Sequence, residues 1–163
     1  MNQFKGIFDL GKKSDATASV PHIATNAWLA VVRAHNICSK SISSQIEPFG
    51  LNLLQHEILI NLMLKPGQSQ QELANKCFSA KSGISNLVSE FEKTGLITRH
   101  ASEEDARMKL LFLTDRGLEQ AKKNYAIQNE IVADIAQMFS PSDMSKLEKS
   151  MNAASDALKA KYF

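Results

Sequence analysis

The stretch from Ser69 to Gly95 constrains this chain more than any other, because it leaves room for two short helices and marks their ends. Ser69 and Glu72 form a capping-box pattern: the serine oxygen accepts a free N–H of the first turn, and the glutamate reaches back. Leu73, Ala74 and Cys77 then share one face at helical spacing. A second start follows Cys77-Phe78, with Ser79 or Ser82 able to cap it. Ile84, Leu87, Val88 and Phe91 make one apolar stripe. The opposite face is small and hydrogen-bonding, with Ser82, Gly83, Ser85, Asn86 and Ser89, and Lys81 lies near its start. Gly95 stands where a left-handed residue closes a helix.

A capped helix, a turn and a second helix with a slim polar face form the helix-turn-helix pattern. Small side chains there let the backbone of the second helix approach base edges in a major groove. The alternative is an ordinary helical hairpin whose serines are merely solvated. The flanking sequence bears on the choice. After Gly95 the period changes: Leu96 to Arg99 and Met108 to Leu113 read as strands, with the charged run ASEEDAR between them. Two strands around a loop of that length make a β-hairpin wing with a projecting tip.

The remainder is helical. Pro21 suits a first helical turn, and Ile23, Ala27, Val31, Ala34, Cys38, Ile42 and Ile46 recur at helical spacing until Pro48 and Gly50. Asn52 caps a helix from Leu53 to Leu64 that is apolar on most sides and belongs in the core. Thr114 caps a long helix running to about Phe139, and Ser140-Pro141 starts another. The fold class expected is mainly α, a winged helix-turn-helix with long N- and C-terminal helices forming a dimerisation region. Residues 1–20 read as a flexible arm, in which Phe4, Ile7, Phe8 and Leu10 could form an amphipathic turn. Residues 21–48 read as a dimerisation helix, 49–113 as the winged lobe and 114–163 as further dimerisation helices. The terminal helices carry more apolar surface than the small lobe can hide, which favours a twofold homodimer; a monomer with a folded-back bundle is the alternative.

Composition narrows the class. At 163 residues with 44% apolar content the chain fits one globular domain, and a formal net charge of +2 neither requires nor excludes a polyanionic partner. Two cysteines, Cys38 and Cys77, make no disulfide framework and read as buried thiols. No apolar run approaches the roughly 18 residues of a membrane span, and no signal peptide is recognised, so a cytoplasmic protein without a membrane role is expected. His22, His35, His56 and His100 lack metal-ligand spacing, and no nucleophile–base grouping or phosphate loop emerges. No enzyme, metal or cofactor is expected.

Several of these motifs in register resemble the MarR family of winged helix-turn-helix regulators. They are Gly50 to Gln55 with Ile58, Leu59 and Leu62; Ser69 to Ala74; Leu87-Val88 with Phe91, Glu92, Lys93, Gly95, Leu96, Ile97 and Arg99; and Glu104 to Arg107 with Leu113-Thr114 and Gly117. The resemblance implies that Arg107, on a projecting wing, reaches a minor groove and that Asp105 holds the wing in shape. The bland reading of that pair is a solvated surface ion pair. The resemblance also places Ser82, Gly83, Ser85, Asn86 and Ser89 on a recognition face, with Lys81 and Arg99 as phosphate partners. Ala80 stands where many members have a capping hydroxyl, and His56 replaces a usual aromatic. Cys38 is displaced about two turns from the cysteine of peroxide-sensing members, so redox sensing does not carry over.

The resemblance further implies small, often aromatic effectors bound between the dimer helices and the lobe, here near Trp28, Val32, Asn36, His56 and Ile60. The expected function is a homodimeric regulator of transcription, more specifically a repressor, bound to a pseudo-palindromic double-stranded operator. The runner-up is a dimeric interaction protein on the same scaffold that has lost DNA binding.

Overall fold

The computed structural model describes residues 20–105 and 107–162. The chain divides into two units, Met1–Ile37 and Cys38–Phe163. The first helix, α1 (Val20–Ile46), begins at Val20, which the sequence reading assigned to the arm. The amphipathic turn expected around Phe4 to Leu10 lies outside the described residues.

In the second unit, α2 (Leu53–Leu64) starts with a reciprocal cap. The Asn52 side chain accepts from the Gln55 amide at 2.9 Å, and the Gln55 side chain accepts from the Asn52 amide at 2.9 Å. Its Ile58, Leu59 and Leu62 side chains are buried, as an all-round apolar helix requires. The far end is closed by a residue from outside the helix. Buried Gln68 donates from Nε2 to the carbonyls of Asn61 and Lys65, at 2.8 and 2.7 Å. The Asn61 carbonyl also accepts from the Lys65 amide at 3.0 Å, whereas the Lys65 carbonyl lies past the helix end, where Gln68 replaces the water it would otherwise need.

Gln68 belongs to β1 (Gln68–Ser69), a third strand that two residues without alternation could not announce. Then follow α3 (Gln70–Lys76), α4 (Lys81–Lys93), β2 (Ile97–Ala101), β3 (Lys109–Leu113), α5 (Asp115–Ala136) and α6 (Pro141–Tyr162). The strands form an antiparallel sheet of order β1-β3-β2, with Ile97 opposite Leu113 and Ala101 opposite Lys109. Leu73, Ile84, Val88, Phe91, Ile97 and Leu111 join α2 in one buried cluster. Each full burial of such a side chain is worth about 1.5–3 kcal/mol. Ser69 and Glu72 form the expected capping box on α3, and the Ser69 bonds hold the Glu72 carboxyl below its usual range. α5 ends at Ala136, short of the expected Phe139, and Ser140 caps α6 through the Asp143 amide at 3.2 Å. No helix among the described residues is long and apolar enough to cross a membrane.

The start of α4 corrects the sequence reading. Neither Ser79 nor Ser82 caps it; the cap position is Ala80, which offers no side-chain acceptor. The missing cap costs about 1 kcal/mol relative to serine. It leaves the first amides of α4 unpaired by any cap side chain.

The end of α4 is more tightly determined. Gly95, at φ 71°, donates to the Glu92 carbonyl at 3.1 Å, and Leu96 donates to the Phe91 carbonyl at 2.8 Å. The same two residues seat α5. The Thr114 hydroxyl donates to the Gly95 carbonyl at 2.7 Å and accepts from the Gly117 amide at 3.0 Å, while the Thr114 amide donates to the Leu96 carbonyl at 3.0 Å. A Cβ on Gly117 would be driven into the Leu96 carbonyl, with backbone on both sides. Only glycine permits this approach. Gly117→Ala should therefore destabilise the lobe by about 2 kcal/mol or more. Gly95→Ala, which meets open space and adds only left-handed strain, should cost about 1 kcal/mol. Urea denaturation of the two variants measures the difference, and equal stabilities would contradict the close approach.

Helices α2 and α5 share a polar contact inside their packing. His56, 1% exposed, has Nε2 3.0 Å from Gln128 Oε1, while its Nδ1 lacks a hydrogen-bond partner among the described residues. Burial lowers the His56 pKa, partly offset by the Gln128 bond, so the imidazole is held neutral. The unfolded chain then takes up a proton that the folded one refuses. Stability should be unaffected by this group above the unfolded pKa of about 6.5 and fall progressively below it. Denaturation between pH 8 and 5 should show that loss in wild type and a flatter profile in His56→Gln.

Candidate nucleic-acid interface

The polar face of α4 is turned to solvent at Ser82 and Asn86, while Gly83 and Ser85 are half-buried. Lys81, at the start of the helix, is exposed and has no partner among the described residues. The face is therefore narrow, with one long cation at one end and small groups along it. That shape suits a helix whose backbone must come close to base edges.

Ser89 and Arg99, expected on the recognition face and at a phosphate, are hydrogen-bonded to each other. The Ser89 hydroxyl donates to the Ser85 carbonyl at 2.9 Å and accepts from Arg99 Nη2 at 3.0 Å. Arg99 Nε lies 3.0 Å from Glu92 Oε2, but its N–H is not directed at that oxygen, so the contact is coulombic. With Glu92 largely exposed, the pair adds about 1 kcal/mol or less. Its consequence is geometric: strand β2 is tied to two successive turns of α4, so wing and helix keep one orientation. The sequence shows the residue types but not this pairing, since Ser89 and Arg99 are ten residues apart on different elements.

The wing turn is closed by its own polar groups. Asp105 Oδ1 accepts from the Arg107 amide at 2.9 Å, the Asp105 carbonyl accepts from the Met108 amide at 2.8 Å, and Ser102 donates to the Met108 carbonyl at 2.9 Å. An aspartate at this position folds its carboxylate onto the following backbone, an Asx-type turn. Arg107 is thus held by its backbone while its side chain stays exposed.

Between this turn and the helix starts lies a groove of about 330 Å³, lined by Ser69, Gln70, Gln71, Lys81, Arg99, Arg107, Met108 and Lys109. Among the described residues four cations line it and no carboxylate does. Lys109 was missed in the sequence reading. Its signal was the strand alternation, which puts it on the same sheet face as Arg99. A concave, cationic and amide-lined groove is what a polyanionic backbone requires.

The five residues expected at an effector cleft fall in both units. Trp28 and Asn36 are exposed and Val32 half-buried on α1, whereas His56 and Ile60 are buried on α2. Cys77 is half-buried, and burial together with the Glu57 charge pushes its thiol up to about 11, which keeps it protonated and unreactive. Among the described residues no group of three His, Cys, Asp or Glu side chains could hold a metal.

Comparison with known proteins agrees with this geometry. Residues 49–108, covering α2 through the wing turn, match the MarR family. A Bacillus cereus protein described as an uncharacterized HTH-type transcriptional regulator is 28% identical over 117 residues, covering 69% of this chain and 78% of its own. The solved structure of AbsC, a MarR family transcriptional regulator from Streptomyces coelicolor, superposes with a TM-score of 0.74 at 23% identity, covering 90% of this chain and 99% of that one. A Mycobacterium tuberculosis MarR family protein in complex with salicylic acid superposes with a TM-score of 0.60 at 21% identity, covering 85% and 98%. The matched segment coincides with the lobe that carries the cationic groove, so residues 49–108 are similar to the MarR family and the chain has a winged helix-turn-helix fold.

Proposed function

We propose that this protein is a sequence-specific, double-stranded DNA-binding regulator of transcription, acting as a homodimeric repressor released by a small effector. The observation that carries the reading is the cationic groove between α3, α4 and the wing turn, set beside the open Ser82 and Asn86 face. The relatives described as HTH-type transcriptional regulators support it. In this reading α4 enters a major groove, Asn86 and Ser82 meet base edges, and Arg107 reaches the adjoining minor groove. Lys81 and Lys109 meet phosphates, and Arg99 positions the wing on α4.

Two copies are proposed because the long helices leave much apolar surface uncovered. On α6 no described side chain is buried, and Leu147, Met151, Leu158 and Tyr162 are exposed. On α1, Ile23, Trp28, Leu29 and Ile37 are exposed too. Surfaces of this kind mark interfaces, and a twofold pair would set two recognition helices about one helical turn apart. The effector proposed is a small aromatic molecule held near Trp28, Val32, Asn36, His56 and Ile60. The relative that holds salicylic acid supports that ligand class. To act, such a molecule must bind the arrangement unable to span both half-sites better than the one that can.

Selection from a random duplex library, followed by anisotropy titration over a salt series, tests the reading. Lys81, Arg107 and Lys109 supply three cations per copy with no ion pair among the described residues, so a dimer should show a slope of log K against log salt of about −5. Lys81→Ala should reduce that slope by about 2. Arg107→Ala should weaken operator binding at least tenfold, while Asn86→Ala should alter the preferred sequence. Absence of any selected sequence, or a salt slope near zero, would contradict DNA binding. Sedimentation at the chain's own 18.0 kDa would contradict the dimer.

A further inference from the structure

The wing sheet has two unlike faces. Paired residues point the same way, so Arg99 and Leu111, Ala101 and Lys109 share the face turned to α4, and Thr98 with Phe112 and His100 with Leu110 share the other. On that second face lies an open groove of about 1070 Å³, as roomy as the larger small-molecule sites. The His100 and Phe112 rings meet edge to face at 5.2 Å on its floor, and the Thr98 hydroxyl lies 3.2 Å from His100 Nε2. Leu110 and Met108, the latter 39% exposed, extend the apolar surface.

The rim is acidic. Glu72, Glu103 and Glu104 line it, and among the described residues no lysine or arginine does. Glu72 is engaged by Ser69 and by Lys65 at 3.7 Å. The carboxylates of Glu103 and Glu104 have no hydrogen bond or ion pair among the described residues. They stand on the same turn as Arg107, yet at the edge of an apolar floor rather than in the cationic groove. Two uncompensated carboxylates over an aromatic surface repel phosphate and favour one kind of occupant.

We propose that this groove binds a lipophilic organic cation: a flat aromatic body carrying a fixed positive charge. The body covers Phe112, Leu110 and Met108, removing apolar surface from water. The charge sits against Glu103 and Glu104, where the Phe112 ring adds a cation–π contribution. An aromatic acid of similar size is rejected by the same two carboxylates.

Rhodamine 6G, a cationic xanthene dye, and fluorescein, its anionic counterpart, make a matched pair of probes for anisotropy titration of the full-length protein without DNA. Rhodamine 6G should bind saturably and fluorescein should not. Glu103→Gln/Glu104→Gln keeps the shape of the rim and should weaken rhodamine 6G at least tenfold, with an unchanged thermal melt as the check on folding. Met108→Ala should weaken it several-fold, and Trp28→Ala should leave it unchanged. No rhodamine 6G binding to wild type, equal binding by the double variant, equal binding of fluorescein, or a loss that follows Trp28→Ala alone would each overturn the proposal.

Discussion

The turn that ends α4 and the start of the long helix that follows the wing meet backbone to backbone, and that approach sets the position of everything the lobe presents. Gly95 turns the chain out of α4, Leu96 offers its carbonyl to the Thr114 amide, and Gly117 lets α5 lie against that carbonyl. The Thr114 hydroxyl joins the two helix ends by bonding to one and capping the other. Strands β2 and β3 leave and return at this junction, with Ile97 opposite Leu113. The base of the wing therefore has little freedom, and only its tip is left to adapt.

A second tie lies further along. Arg99 reaches from β2 to Ser89 and Glu92 on α4, so helix and wing are connected at the side as well as at the root. Neither contact is strong by itself, since Glu92 is exposed and Arg99 and Ser89 are only half-buried. Together with the junction they reduce the ordering that binding would otherwise require, which is how preorganisation raises affinity without adding contacts. The charge arrangement follows from the same sheet. One face gathers Arg99 and Lys109 beside Lys81 and Arg107, and the other carries an aromatic floor with Glu103 and Glu104 at its rim.

What could be read from the residues in advance was local. The caps at Asn52, Ser69, Thr114 and Ser140, and the turn at Gly95, depend on neighbours within a few positions, and each lies where its spacing placed it. The apolar stripe of α4 likewise follows from its period. Contacts between distant segments were not legible. The Gln128 partner of His56 lies 72 residues away, the role of Gln68 depends on where α2 ends, and β1 is too short to carry a pattern. Ser89 looked like one more member of a polar face because nothing in the sequence shows that Arg99 folds back onto it. The cap of α4 was misread for a related reason: serines flank Ala80, and propensity favoured them over the residue the turn geometry selected.

If the junction and the Arg99 tie make α4 and the wing one body that meets DNA, amide hydrogen exchange with and without a selected operator should reveal it. Protection should rise together in α4 and in residues 102–108, with little change in the buried amides of α2. Protection of one without the other, or of neither, would contradict the shared body and the interface built on it.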